Sequence, residues 1–290
     1  MYKSYGLSEK GIVKFVEENG NHKTIPTGMG LLLFGREPRE RFPQAVLKAE
    51  VRYGNEEPEI RDFDEPLVLI PDEIDQWLKK VLRSKIVRER FEREEIPEFP
   101  IEVIREAVIN AIVHRDYDNK NAKSYLQIDD DKIVIKSPGK PVDPIKLEIL
   151  QKFEAPSLSR NPVLSHIFNQ MGFAEERGIG MRTLKSLPEK YNLPLPQYSY
   201  EEPFLTLTFP RSFYSIKKVS GIEQLNELND EELKGYEFIC PKNKITKREY
   251  ANHFDYSDRQ AERHLKRFTE LGLIERKGAG PSTHYIIIPT

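Results

Sequence analysis

The chain has 290 residues, with 45 Lys and Arg against 47 Asp and Glu, so its formal net charge is −2. This length predicts two or three domains, each with its own core, and the balanced charge gives no overall indication of nucleic acid. The single cysteine excludes an internal disulfide and a cysteine-based zinc site, which favours a reducing cytoplasm. No apolar run approaches the ~20 residues of a membrane span, so no membrane partner is expected.

Residues 1–75 are predicted to form a small N-terminal α/β segment. Within it, apolar residues at helical spacing predict one helix from Ser8 to Glu18. The partly alternating run from Ala45 to Tyr53 predicts a strand. Pro71 suits the first position of a second helix, which is expected to continue to Leu82.

The most informative stretch runs from Pro100 to Tyr117. Its apolar residues recur at helical spacing and predict a helix with one buried stripe. Glu106, Asn110 and His114 stand four apart, so they form a polar row beside that stripe. On spacing alone, an ordinary amphipathic helix with a solvated polar face is the favoured explanation. Motifs elsewhere in the chain favour a functional role for this polar row.

After this helix the pattern changes to that of strands. Segments from Ser124 to Asp129 and from Lys132 to Lys136 predict two strands. The three aspartates between them favour a turn over a metal site, because no further ligands follow at regular spacing. Asn161 and Pro162 suit the N-cap and the first position of another helix. The alternating run from Leu205 to Phe209 predicts a last strand before the C-terminal part of the chain.

These motifs resemble the GHKL ATPases, whose N-box is written E-x-x-x-N. The form R-E-A-V-I-N-A-I-V-H-R-D-Y is more specifically similar to the C-terminal ATP-binding domain of the family called ATP-dependent DNA helicase-related, or Schlafen-AlbA-type transcriptional regulator. Four more segments carry the likeness: G-L-L-L-F-G-R-E-P-R-E-R-F-P-Q-A at 30–45, K-S-P-G-K-P at 136–141, S-R-N-P at 159–162 and E-E-R-G-I-G-M-R at 175–182.

The resemblance covers roughly residues 25–212 and implies an α+β fold. Its main part would be a GHKL (Bergerat-like) α/β sandwich, forming an ATP-binding domain at 76–212. In that family an AlbA-type domain usually precedes this point, and the chain is expected to lack most of it.

The resemblance also implies ATP and Mg²⁺ as ligands. Glu106 would orient or activate the attacking water, and Asn110 would hold the magnesium ion. Gly139 matches the glycine of the family's D-x-G box. Ser137 stands where the aspartate of that box reads the adenine amino group, which leaves base specificity open. The implied ATP-binding residues are Glu106, Asn110, His114, Ser137, Gly139, Ser159, Arg160, Gly178, Ile179 and Gly180.

Two members of this set have a chemical rationale of their own. Arg160 is expected to contact a phosphate when the lid loop closes, because a guanidinium matches phosphate oxygens in fork geometry. Gly178-Ile179-Gly180 precedes a predicted helix, where backbone N–H groups would cradle a phosphate. A plain loop-to-helix turn explains a lone G-x-G equally simply.

Residues 213–240 predict an acidic linker and lead-in helix, whereas residues 241–290 carry ten basic residues against six acidic ones. Two helices followed by a hairpin make the latter segment resemble a winged-helix domain, with a capping box of Ser257 and Gln260 starting the second helix. The residues expected to meet DNA are Arg259, Gln260, Arg263, Lys266, Arg267 and Lys277. A protein-interaction or dimerisation module is the alternative.

Three functions from different classes follow from these patterns. The first is a cytoplasmic transcriptional regulator that binds ATP and double-stranded DNA, with slow hydrolysis and homodimerisation left open. The second is a non-enzymatic binding or scaffold protein with a degenerate ATPase fold. The third, a helicase motor, is disfavoured because the chain lacks a G-x-x-x-x-G-K-[ST] phosphate loop.

Overall fold

The computed structural model describes residues 13–18, 21–89, 92–173, 179–240, 242 and 244–288. The strands are β1 (Val13–Glu18), β2 (Asn21–Pro26), β3 (Leu47–Val51), β4 (Glu59–Phe63), β5 (Ser84–Glu89), β6 (Glu92–Pro97), β7 (Ser124–Ile128), β8 (Lys132–Pro138), β9 (Gln197–Glu201), β10 (Phe204–Pro210), β11 (Ile274–Lys277) and β12 (His284–Ile287).

The α-helices are α1 (Gly28–Phe34), α2 (Pro38–Arg41), α3 (Ile70–Val81), α4 (Ile101–Val113), α5 (Leu147–Gln151), α6 (Pro162–Gln170), α7 (Ile179–Lys185), α8 (Leu187–Tyr191), α9 (Phe213–Val219), α10 (Asp230–Ile239), α11 (Lys247–Phe254) and α12 (Asp258–Glu270). Short 3₁₀ helices cover Glu223–Glu227 and Gly280–Ser282.

A six-stranded sheet in the order β4-β3-β7-β8-β10-β9 forms the frame of the larger unit. Only its β3–β7 pair is parallel, and the other pairs are antiparallel. Leu126 lies opposite Ile135, which lies opposite Leu207, and all three side chains are buried. Their neighbours along the strands point to the other face, where Gln127 is exposed. The period of two therefore gives the sheet one apolar face, as expected of a mixed α+β fold.

Helix α4 lies against the apolar face of this sheet. It contacts β7, β8, α3 and α7, so it is buried on more than the one predicted stripe. Ile104, Val108 and Ile112 are at most 4% exposed, as their helical spacing predicts. Glu106 remains half-buried and Asn110 exposed. The polar row thus lies on the part of the helix that the sheet and α3 leave uncovered.

The predicted helix from Ser8 to Glu18 is wrong where the structure describes it. Val13–Glu18 is strand β1, which pairs antiparallel with β2, and Glu18 lies opposite Asn21. Residues 8–12 lie outside the described residues. Valine and phenylalanine favour strands, and Asn19-Gly20 is a dipeptide typical of two-residue hairpins.

The C-terminal part of the chain has a core of its own. Phe213, Ile216, Leu233 and Tyr236 bury their side chains together with those of α11, α12 and β11. Residues 213–240, predicted as a linker and lead-in helix, thus contribute α9 and α10 to this core. Their acidic residues are mostly exposed, whereas the apolar residues between them face inward. In the part of the chain that the structure describes, no helix is both long and apolar enough to cross a membrane.

Candidate functional site

A cavity of about 190 Å³ opens beside the polar row of α4. Its walls come from α4, the end of β8 with the loop that follows, the segment before α6, the start of α7, and β9 and β10. Seven of the residues predicted to bind ATP line it: Glu106, Asn110, His114, Ser137, Gly139, Ser159 and Gly180. The fold therefore brings together four motifs that are far apart in the sequence.

The other three predicted residues are placed differently. Arg160 is not among the residues that line the cavity, and its side chain is used elsewhere, as described below. Gly178 lies outside the described residues. Ile179 is the first residue of α7, but its side chain also lies outside them. The roles of all ten residues remain predictions.

Gly180, in the first turn of α7, lies directly on the polar row. A Cβ atom built there would lie 3.3 Å from Cδ of Glu106 and 3.5 Å from Nδ2 of Asn110, and would overlap Oε1 of Glu106. Only a glycine leaves room for the carboxylate at this point. The N-terminal end of α7 is thus placed where its backbone and the polar ends of two α4 side chains face the same space.

The cavity wall has a low polarity that changes the proton affinity of its titratable groups. Burial lowers the pKa of His114 to about 4, with a smaller contribution from the positive charge of Arg160. His114 is therefore a neutral imidazole at pH 7, and its Nδ1 atom has no hydrogen-bond partner among the described residues. Burial also raises the pKa of Tyr198, and the nearby Glu106 carboxylate adds to that effect.

Ser137 and Gly139 connect the end of β8 to α4. The Ser137 hydroxyl donates a 2.7 Å hydrogen bond to the carbonyl of Ala111, and the residue is only 8% exposed. Gly139 has a φ of +124°, and a Cβ there would lie 3.1 Å from Cβ of Asp116. Both observations explain these residues by the contact between β8 and α4, with the glycine required by its backbone conformation.

The S-R-N-P segment makes contacts that the sequence did not indicate. Asn161 and Pro162 occupy the predicted N-cap and first position of α6, but the Asn161 side chain does not accept the capping hydrogen bond. Its Nδ2 instead donates to the carbonyls of Val113 and Arg115, both at 2.7 Å. The predicted N-cap position is therefore confirmed, but the Asn161 side chain connects α6 to the C-terminal end of α4 and does not close its own helix end.

Most of the remaining wall is apolar and was not predicted. Met181, Leu184, Tyr198 and Leu207 line the cavity together with Lys140. Lys140 stands next to Gly139 in a quoted motif, so that motif carried a signal. Tyr198 lies on edge strand β9, which pairs with β10 but contains no residue of the quoted motifs. Such lining residues can be identified only when the order of the strands in the sheet is known.

The aspartates between β7 and β8 form a turn, as predicted. Asp129 accepts hydrogen bonds from the backbone N–H groups of Asp131 and Lys132, both at 2.8 Å. Asp130 accepts from the Gly54 N–H at 2.6 Å and pairs with Arg83. Among the described residues no group of three His, Cys, Asp or Glu side chains is arranged to hold a metal ion.

The predicted DNA-contacting residues lie on α12 and β11. Arg259, Arg263 and Lys266 are exposed. Arg259 and Arg263 form no ion pair among the described residues, whereas Lys266 pairs with Glu270 at 3.7 Å. The remaining three predicted residues contact glutamates: Arg267 pairs with Glu227 at 2.9 Å, Gln260 donates to Glu231 at 3.1 Å, and Lys277 pairs with Glu275.

The start of α12 fulfils half of the predicted capping box. The Ser257 hydroxyl accepts a 3.2 Å hydrogen bond from the backbone N–H of Gln260. The Gln260 side chain does not return to Ser257, because it bonds to Glu231 on α10. The residue therefore connects α12 to α10 instead of closing its own helix end.

Part of the cavity lies in a region of the chain that is similar to a known family. Residues 122–209 match the family described as putative ATP-dependent DNA helicase recG C-terminal. The matched region is ATPase-like. It runs from just before β7 almost to the end of β10 and includes Ser137, Gly139, Arg160 and Gly180. Helix α4, with Glu106 and Asn110, precedes it.

Comparison with solved structures supports the fold. The crystal structure of the DIP2311 protein from Corynebacterium diphtheriae is similar to 96% of this chain, with a TM-score of 0.54 and 17% sequence identity. The chain spans 56% of that protein. At this identity the likeness concerns the fold alone. A search of curated proteins found no match.

Proposed function

We propose that this protein is a nucleotide-responsive DNA-binding regulator, with ATP bound in the cavity beside α4. The observation that carries the proposal is the meeting of Glu106, Asn110 and Gly180 at one cavity next to an ATPase-like region. A carboxylate, an amide and a glycine at a helix N-terminus are groups that can serve a phosphate and its cation.

The donor set fits a magnesium ion that is shared with phosphates. Mg²⁺ usually keeps several waters and takes one or two protein oxygens together with substrate phosphates, so a closed protein cage is not expected. Asn110 is exposed at the cavity and would offer its amide oxygen. When bound, the ion would neutralise phosphate charge. Glu106, beside Asn110, would orient a water molecule.

Calorimetric titration of ATP with Mg²⁺ tests this proposal. We expect saturable one-site binding to the wild type and loss of that binding in Asn110→Ala. Asn252→Ala is the matched control, because Asn252 is an exposed helix asparagine on α11 and does not line the cavity. Absence of binding to the wild type would refute the proposal. Equal loss in both variants would show that the effect is not specific to Asn110.

For the C-terminal unit we propose a winged-helix domain that binds double-stranded DNA. The proposal is supported by helices α11 and α12, the antiparallel hairpin β11–β12, and the exposed Arg259 and Arg263. Each phosphate contact contributes about 0.9 to the slope of log K against log salt. Replacing either arginine by alanine should therefore lower that slope by about one. An unchanged slope in both variants would contradict the assignment.

A specific observation favours a second candidate, a binding protein without enzymatic activity. Ser137 stands where the resemblance implies a base-reading aspartate, and its hydroxyl group donates a hydrogen bond to the carbonyl of Ala111. A thermal-shift panel of nucleotides with and without Mg²⁺ separates the candidates, because a bound ligand raises stability with its concentration. A flat panel with intact DNA binding would support the second candidate.

A further inference from the structure

Two consecutive residues of the S-R-N-P segment hold the C-terminal end of α4. The last carbonyl groups of a helix have no partner within the helix. Here three successive carbonyls, those of Val113, His114 and Arg115, accept hydrogen bonds from outside the helix. Asn161 donates to the first and third at 2.7 Å, and Nε of Arg160 donates to the second at 3.0 Å.

The Arg160 guanidinium also reaches a second wall of the cavity. Its Nη2 group donates to the carbonyl of Lys140, in the loop after β8. Both residues line the cavity: His114 is the C-cap of α4, and Lys140 lies in that loop. One planar group with fixed donor directions thus bridges two walls and sets the distance between them.

Gly139 gives independent support for this arrangement. A Cβ at position 139 would lie 3.4 Å from Cζ and 3.4 Å from Nη2 of Arg160. The guanidinium therefore packs against the face of residue 139 that lacks a side chain. The glycine of the K-S-P-G-K-P motif and the arginine of the S-R-N-P motif form one contact, although they are 21 positions apart in the sequence.

We infer that Arg160 is a positioning residue that fixes the width of the cavity between α4 and the loop after β8, with Asn161 holding the end of α4. Its action on the ligand is through these walls and does not require contact with a phosphate. This inference rests on the proposed function, because its consequence for binding concerns the nucleotide in that cavity.

The number of phosphates on the ligand distinguishes positioning from phosphate contact. Arg160→Lys keeps the positive charge but loses the planar set of donors that forms the bridge. We expect it to lower the affinities for adenosine, ADP and ATP by the same factor of about ten, as for the loss of one net hydrogen bond. Calorimetry with each ligand in the presence of Mg²⁺ measures the three ratios. A loss confined to ATP would overturn the inference in favour of a phosphate contact. Unchanged affinity for all three, with only a lower melting temperature, would reduce Arg160 to a structural role.

Arg182→Lys provides a matched control, because it makes the same charge-conserving exchange. Arg182 is exposed on α7, next to the cavity residue Met181, but is not among the residues that line the cavity. We expect its three affinities to equal those of the wild type. If this control lost affinity as strongly as Arg160→Lys, the loss would not be specific to the bridge and the inference would be overturned.

Hydrogen exchange on the nucleotide-free protein keeps the inference testable even if the proposed function fails. If the wild type binds no nucleotide, the proposed function is refuted, but the bridge still predicts a local effect. We expect amides of residues 111–117 and 139–142 to exchange faster in Arg160→Lys than in the wild type, and amides of the distant α12 to be unchanged. If the amides of both segments exchanged at the same rates in Arg160→Lys as in the wild type, the bridge itself would be refuted.

Discussion

Glu237 gives the most quantitative prediction, because it is a buried carboxyl group between the two cores. It lies on α10, is 6% exposed, and accepts a 2.9 Å hydrogen bond from the backbone N–H of Leu195, in the segment between α8 and β9. Burial raises its pKa from the ordinary 4.5 to about 7, although the Leu195 N–H opposes the rise. The protonated form is therefore favoured in the folded protein.

The sign of the pH dependence follows from this direction. Below about pH 4.5 the carboxyl group is protonated in both states and contributes nothing. Between about pH 4.5 and 7 the unfolded chain loses the proton while the folded chain keeps it, so the free energy of unfolding falls as pH rises. Above about pH 7 the loss is complete. At about 1.4 kcal/mol per unit of pKa difference it amounts to about 3 kcal/mol.

Glu237→Gln removes this titration while keeping an oxygen that can accept from Leu195. We expect the stability of the variant, relative to the wild type, to increase by about 3 kcal/mol between pH 4.5 and 8. Any cost of placing an amide group there shifts the whole curve and leaves its slope unaffected. Urea unfolding followed by circular dichroism at several pH values measures the difference, with the exposed Glu223→Gln as control. Parallel curves for the wild type and Glu237→Gln would refute the reasoning.

The remaining predictions concern the cavity. Gly180→Ala should change the free energy of unfolding by less than about 1 kcal/mol, because the overlapping atom is the end of a flexible side chain. It should slow ATP hydrolysis, because the new methyl group displaces the Glu106 carboxylate. Chemical denaturation measures the first effect and phosphate release the second, and an unchanged rate of hydrolysis would contradict the placement of Glu106 beside Gly180. Glu106→Ala should abolish hydrolysis in a phosphate-release assay while calorimetric ATP binding persists, and unchanged turnover would reject Glu106 as the base. Because the pKa of His114 is lowered to about 4, the dissociation constant for adenosine, which unlike ATP carries no phosphate that titrates near pH 6, should show no transition near pH 6.5. A transition there would contradict the lowered pKa of His114.

The elements that the sequence predicted well are those whose burial follows a local period. Helix α11, Lys247–Phe254, is the first of the two helices predicted in the C-terminal segment, and the buried positions of α4 include Ile104, Val108 and Ile112. The stretch from Ser8 to Glu18 failed because six described residues with mixed apolar spacing satisfy a strand as well as a helix. Pairing with β2, which lies outside any local window, determines the outcome.

For the candidate site, spacing was enough to find the row of Glu106, Asn110 and His114. It could not show that Ser137 bonds to Ala111, or that Asn161 bonds to Val113 across 48 positions. In both cases the acceptor is a backbone carbonyl near the end of α4, which carries no sequence signature. Ser137 and Asn161, both motif residues, therefore have structural partners that the sequence pattern alone does not reveal.

The contacts of α10 connect the two halves of the proposed function. Gly180, in the first turn of α7, lies beside Glu106. Helix α8 follows α7, and the backbone N–H of Leu195 then donates a hydrogen bond to Glu237 on α10. On the other side, Glu231 of α10 accepts a hydrogen bond from Gln260 of α12. Such contiguity does not by itself establish coupling. Coupling between two binding equilibria must be reciprocal, so the factor by which ATP changes the dissociation constant for DNA must equal the factor by which DNA changes that for ATP. If α10 transmits this effect, Glu237→Gln should change both factors equally while leaving each ligand's affinity in the absence of the other unaltered.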